Sequence, residues 1–269
     1  MKRLNIGDVE LAYLDCGSGL PVILVHGFPL DHTMWNAQID AFAEHHRLIV
    51  PDLRGFGKSG VTEGAVAMEQ LADDLAVLLD GIGVNEPVVL CGLSMGGYVA
   101  FAFARKYASR LRGLILCDTR SAADTPDKAD SRRAMAARVL HDGVASLVEQ
   151  MMPSLFAKGA METRAKTIES LRAAMLDGDP RGMAAAAIGM ADRPDMTATL
   201  TEIDCPAMVI CGNQDAFTPP EEMRSISQAI PHCEFVEIDG SGHMTPVESP
   251  DEFNAAVLRF LEKKLRVES

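Results

Sequence analysis

The chain is predicted to fold as one α/β domain on a mostly parallel central sheet flanked by helices, interrupted once by a helical insertion. Three observations point there: short apolar runs alternate with helical patterns, the runs are apolar on both faces, and the rhythm stops over residues 121–194 before resuming. Alternation of this kind is the mark of βαβ units. Runs with no polar face fit strands covered by helices on either side. A length of 269 residues suits one such domain carrying an insertion better than two independent domains.

The elements follow in order. Pro21-Val22-Ile23-Leu24-Val25 reads as a strand, residues 35–44 as a helix, Leu48-Ile49-Val50 as a strand and residues 68–79 as a helix. Val88-Val89-Leu90-Cys91 and Leu114-Ile115-Leu116-Cys117 are strands on either side of a helix over residues 98–107. Met208-Val209-Ile210-Cys211 and residues 233–238 supply the later strands, and a closing helix covers about residues 251–265. Residues 1–120 and 195–269 are assigned to the core domain and 121–194 to a helical cap. The cap segment is rich in Ala, Met, Arg and Glu, and its Met151, Met152, Leu155 and Phe156 recur at helical spacing. These are expected to pack the cap onto the sheet domain, some of them also lining a pocket beneath it.

Composition excludes several classes. No apolar run reaches the roughly 18 residues that span a bilayer, so no membrane association is expected. The N-terminus has two basic residues without an apolar run behind them, so neither a secretory signal nor a transit peptide is expected and the location is taken as cytoplasmic. A net charge of −13 and a pI near 4.9 argue against nucleic acid, whose binding draws on clustered Lys and Arg. Cys16, Cys91, Cys117, Cys205, Cys211 and Cys233 show no C-x-x-C spacing and are read as reduced thiols. No metal site is expected, since His45-His46 is the only close histidine pair and is placed on a solvated helix end. The partner left is a small molecule, met by a monomer or homodimer.

The strongest chemical signal is Gly92-Leu93-Ser94-Met95-Gly96-Gly97, directly after one strand and directly before a helix. This is the G-x-S-x-G nucleophile elbow in its strand-turn-helix setting. A serine held in a strained turn brings its main chain close to neighbouring backbone, and side chains two positions away would clash. The helix beginning there favours negative charge at its N-terminus, which suits an oxyanion forming beside Ser94. A nucleotide-binding turn is disfavoured, because neither G-x-G-x-x-G nor G-K-[ST] is present.

After the first apolar strand stands His26-Gly27-Phe28-Pro29, and here the chain resembles the α/β-hydrolases. In that family the residue after His-Gly donates a backbone N–H to the oxyanion hole together with the residue after the nucleophile. The resemblance therefore assigns Phe28 and Met95 to the oxyanion hole and gives His26 a structural role. It also implies the order Ser, then Asp or Glu, then His. Gly240-Ser241-Gly242-His243, followed by Glu248-Ser249-Pro250, is similar to the family's G-H loop and E-x-P, making His243 the general base. Gly212-Asn213-Gln214-Asp215 is similar to its G-x-x-D turn, making Asp215 the residue that orients the histidine. Asp118 is a rival acid, disfavoured because Arg120 nearby could pair with it. Asp52 and Arg54 in Pro51-Asp52-Leu53-Arg54-Gly55 are expected to fasten loops.

The resemblance is closest to small bacterial carboxylesterases and 3-oxoadipate enol-lactonases, with non-haem chloroperoxidase-like members nearby. It implies a serine esterase acting on short-chain carboxylic esters without a cofactor, in an apolar pocket formed by Phe28, Leu30, Met95 and cap residues. A lactonase acting on a dicarboxylate lactone would want basic groups, for which Arg120 or Arg193 could serve. A ligand receptor with vestigial hydrolysis is the third expectation.

Overall fold

The computed structural model describes residues 1–265. Its strands are β1 (Lys2–Asn5), β2 (Glu10–Cys16), β3 (Pro21–Val25), β4 (Arg47–Pro51), β5 (Val88–Leu93), β6 (Leu111–Cys117), β7 (Ala207–Gly212) and β8 (Cys233–Ile238). They form one sheet in the order β1-β2-β4-β3-β5-β6-β7-β8, antiparallel through β1, β2 and β4 and parallel from β4 onward. The N-terminal pair is absent from the expected strand order. Its sequence hid it because β1 lies at the sheet edge with its side chains largely exposed, so no apolar run marks it.

The parallel strands alternate between two cores. Ile23, Val25 and Leu90 pack with Leu71 and Leu75 of α2 (Met68–Gly81) and Val99 of α3 (Met95–Lys106). Val22, Leu24 and Val89 point the other way, to Phe42 of α1 (Asn36–Phe42) and to Phe253, Val257 and Phe260 of a long C-terminal helix. Side chains on successive residues of a strand face opposite sides, so a strand buried on both faces must be apolar throughout. That explains why β3, β5 and β7 are buried at every position.

Between β6 and β7 the chain forms α4 (Pro126–Asp142), α5 (Ala145–Leu155), α6 (Ala160–Thr163), α7 (Ala165–Leu176) and α8 (Pro180–Ala191), with no strand among them. The termini follow helix chemistry. Thr125 and Asp179 cap α4 and α8 through their side chains, each followed by a proline in the first turn. Small residues let α4 and α8 approach closely, with Ala136 packed against Ala184 and Ala187. Gly182 of α8 lies against Gly55, where a Cβ would come within 1.9 Å of the Gly55 carbonyl oxygen. After β7 come α9 (Pro220–Ala229), β8, the short α10 (Thr245–Glu248) and α11 (Pro250–Leu265). Among the described residues no helix is long and apolar enough to cross a membrane.

Candidate active site

Ser94 sits between the end of β5 and the start of α3 with φ +54°, a conformation that non-glycine residues rarely adopt. The strain is sustained by its surroundings: the Ser94 amide donates to the Cys117 carbonyl at 2.9 Å, and Thr119 Oγ1 donates to the Ser94 carbonyl at 2.8 Å. The flanking glycines are steric necessities. A Cβ on Gly92 would lie 2.3 Å from the Gly96 carbonyl oxygen, and one on Gly96 would lie 2.3 Å from that of Val25.

The loop after β8 brings His243 to this turn, its Nε2 2.9 Å from Ser94 Oγ. On the other side of the ring, Nδ1 is 2.8 Å from Asp215 Oδ2, in the turn after β7. Asp215 also accepts from the Phe217 amide at 2.7 Å, from the Thr218 amide at 3.1 Å and from the Thr218 hydroxyl. Burial alone would raise the Asp215 pKa, but the hydrogen bonds from His243 and Thr218 outweigh it and hold the carboxyl below its ordinary range. An imidazole bonded this way has Nδ1 as donor and a free acceptor at Nε2, so it can take the proton of the Ser94 hydroxyl.

Two further buried carboxylates brace these loops. Asp118, fully buried at the end of β6 with φ +43°, accepts from the Gly212 amide at 3.0 Å and from Thr245 Oγ1 at 2.5 Å. Burial, then the charge of Asp215, raises its pKa. The expected pairing with Arg120 does not occur: Arg120 bonds Glu222 and the Phe217 carbonyl, because Asp118 turns inward to the strand ends. Glu248 accepts from the amides of Gly242 and Met244, both at 3.0 Å, and thereby grips both neighbours of His243. Its second oxygen accepts from the Ala157 amide of the insertion at 2.7 Å. Burial raises its pKa despite these three donors. No spacing rule singled out this bracing; it depends on three loops meeting.

His26 is buried, accepting from the Leu53 amide at Nε2 and lying with Nδ1 2.9 Å from the Gly27 carbonyl. Asp52 accepts from the His32 and Lys58 amides, and Arg54 pairs with Asp74 and Asp8, so both fasten loops. The Phe28 amide has no acceptor among the described residues, and the first amides of a helix, Met95 included, have no intrahelical acceptor.

Ser94, His243, Phe28, Phe217 and Thr218 line one side of a cavity of about 280 Å³. The opposite side comes from the insertion: Lys128, Arg132, Met135 and Arg138 of α4, Met151 and Leu155 of α5, and Met190 of α8. Two expected lining residues are not there. Leu30 packs with Trp35 and Met34 in one core and Met95 with Val99 in the other, both essentially without exposed surface. The physical reason is orientation: Met95 presents its amide at the turn while its side chain follows the helix into the core. Arg193 also stays behind the wall, stacked over the Tyr98 ring at 4.1 Å.

The sheet order, the strained serine turn between β5 and α3 and the late histidine loop define the α/β-hydrolase architecture. The chain belongs to that family: the family model described as alpha/beta hydrolase fold matches residues 21–250. A thermophilic esterase from Thermogutta terrifontis, solved with malate bound, is 47% identical with a TM-score of 0.97, covering 99% of this chain and 100% of that one. The enol-lactonase from Burkholderia xenovorans LB400 is 27% identical with a TM-score of 0.91, covering 97% and 100%. In sequence, 3-oxoadipate enol-lactonase 2 of Acinetobacter baylyi is 28% identical over 256 residues, 94% of each chain. These relatives support hydrolase activity.

Proposed function

We propose that the protein is a serine carboxylesterase that cleaves short-chain carboxylic esters through an acyl-enzyme intermediate. The observation that carries this reading is the continuous hydrogen-bonded chain Ser94–His243–Asp215 at the wall of a small cavity. His243 takes the Ser94 proton as Oγ attacks the ester carbonyl, and the amides of Phe28 and Met95 receive the oxyanion. His243 then protonates the leaving alcohol, and afterwards activates a water that frees the acid and restores Ser94. Asp215 keeps the imidazole in its productive tautomer and stabilises its charge. A volume of about 280 Å³, with Met135, Met151, Leu155 and Met190 on its wall, favours a short acyl chain.

The test is hydrolysis of p-nitrophenyl esters from acetate to decanoate by the wild type and by Ser94→Ala. Turnover is expected to peak between acetate and butyrate and to fall on the order of 10⁶-fold in the variant, as in comparable serine enzymes. Activity surviving in Ser94→Ala would overturn the reading. The enol-lactonases among the relatives favour one second reading, the opening of a small lactone by the same residues. With 3-oxoadipate enol-lactone run in parallel, fast ring opening beside weak ester turnover would select it.

A further inference from the structure

Four cationic side chains face the cavity, in a protein whose net charge is −13. Lys128, Arg132 and Arg138 stand with Met135 on one face of α4, and Arg120 comes from the loop after β6. Arg193 lies just behind them. Arg120 is matched by Glu222, with Nε 2.5 Å from Oε1. Arg132 and Arg193 share one carboxylate, Asp124, at 2.5 and 3.0 Å. Among the described residues, no acid lies within ion-pair distance of the Lys128 ammonium or the Arg138 guanidinium. Five cations therefore meet two carboxylates, Glu222 and Asp124. The excess is local: the whole chain has 38 acidic residues against 25 Lys and Arg.

Lys128 keeps exposed surface, but partial burial, followed by repulsion from Arg132 and Arg120, pulls its pKa below the ordinary lysine range. An anion entering the cavity would relieve that repulsion. Guanidinium and ammonium groups bind carboxylates through charge-assisted hydrogen bonds. Met135, Met151 and Leu155 lie in the same cavity and suit a few methylene groups. Resting on the carboxylesterase reading above, we propose that the preferred substrate is a monoester of a short dicarboxylic acid, its free carboxylate received by Lys128 and Arg138 beside Arg132. Ester cleavage consumes one water and releases an alcohol and a dicarboxylate, and the dicarboxylate should act as a competitive inhibitor.

The experiment compares mono-p-nitrophenyl glutarate with p-nitrophenyl valerate, acyl chains of equal carbon count that differ in a terminal carboxylate, with the uncatalysed rate subtracted. The wild type should favour the glutarate ester about tenfold or more in kcat/KM. The ratio should shrink as ionic strength rises from about 0.01 M to about 1 M, because the screening length drops from roughly 30 to roughly 3 Å. Lys128→Met combined with Arg138→Gln should bring the ratio near one, whereas Lys128→Arg should keep it. Equal rates on the two esters in the wild type, or a ratio untouched by the double variant, would overturn the inference while leaving the esterase reading standing. Should no ester be turned over, the esterase reading falls, and calorimetric binding of glutarate decides the anion site. Binding weakened in the double variant supports it, and absence of binding overturns it.

Discussion

The two walls of the cavity are built on different physical terms. On the sheet side the three carboxylates behind Ser94 and His243 are buried and fastened to backbone: Asp215 by two amides, Asp118 by the Gly212 amide, and Glu248 by three amides. On the insertion side the charged groups facing the cavity are helix side chains: Lys128 and Arg138 have no ion pair among the described residues, and only Arg132 has a buried partner, Asp124, which it shares with Arg193. Buried hydrogen bonds to charged groups are costly to break, whereas exposed pairs contribute little. The sheet side can thus hold reacting atoms in place while the insertion varies what reaches them. The walls are joined through both hydrophobic cores and at specific backbone points, among them the Glu248 bond to the Ala157 amide, the His243 amide donating to the Leu155 carbonyl at 3.1 Å and the contact of Gly182 with Gly55.

The sharpest way to break this contrast lies within the sheet side, between its two buried aspartates. Asp215→Asn should lower kcat on the order of 10⁴-fold by allowing the wrong histidine tautomer. Asp118→Asn, which can still accept from the Gly212 amide, should cost only a few-fold; a comparable loss in steady-state kinetics would make Asp118 the functional acid. Their pH dependences should also differ. The Asp118 carboxyl is raised in the folded state, so its contribution to stability is present in acid and lost as pH rises through the raised value. Asp118→Asn lacks that slope, and its thermal midpoint should gain on wild type from about pH 4 to about pH 8. Asp215 is depressed, so its contribution is present above the unfolded carboxyl value and lost as pH falls through the folded one.

The joints come next. Glu248→Gln places an amide group opposite an amide donor whichever way it turns. It should cost about 1–3 kcal/mol in denaturant unfolding and a few-fold in kcat, because keeping its oxygen on the Gly242 and Met244 amides turns an NH2 group onto the Ala157 amide and loosens the insertion from the histidine loop. An unchanged kcat would show that the histidine loop holds itself. The smallest effect is expected at Gly182→Ala, whose Cβ would press on Gly55 and move α8. It should destabilise by about 1–3 kcal/mol and raise KM more than it lowers kcat, as measured by thermal melts and ester kinetics. A fall in kcat alone would mean that the insertion holds the reacting groups as well as the substrate.

The parallel strands were legible because strands buried on both faces must be apolar throughout, and the serine turn because close backbone approach demands glycines at fixed spacing. The edge pair β1 and β2 was not legible, since β1, largely exposed, need not be apolar. Helix starts shifted for a related reason: α3 begins at Met95, before the apolar periodicity of its surface becomes visible.

By itself, the amino-acid order determined which segments are strands of the parallel sheet and where the turn carrying Ser94 falls, because each is a local requirement written in neighbouring residues; the late loops carrying His243 and Asp215 were reached through the resemblance to the α/β-hydrolases. Only the tertiary structure decided that Leu30 and Met95 face the core, that Asp118 braces strand ends, that Glu248 grips the histidine loop, and that Lys128 and Arg138 meet the cavity without an ion-pair partner among the described residues. Those outcomes depend on how distant segments orient toward one another, and side-chain direction across a packed interface is set by the whole fold rather than by any local spacing.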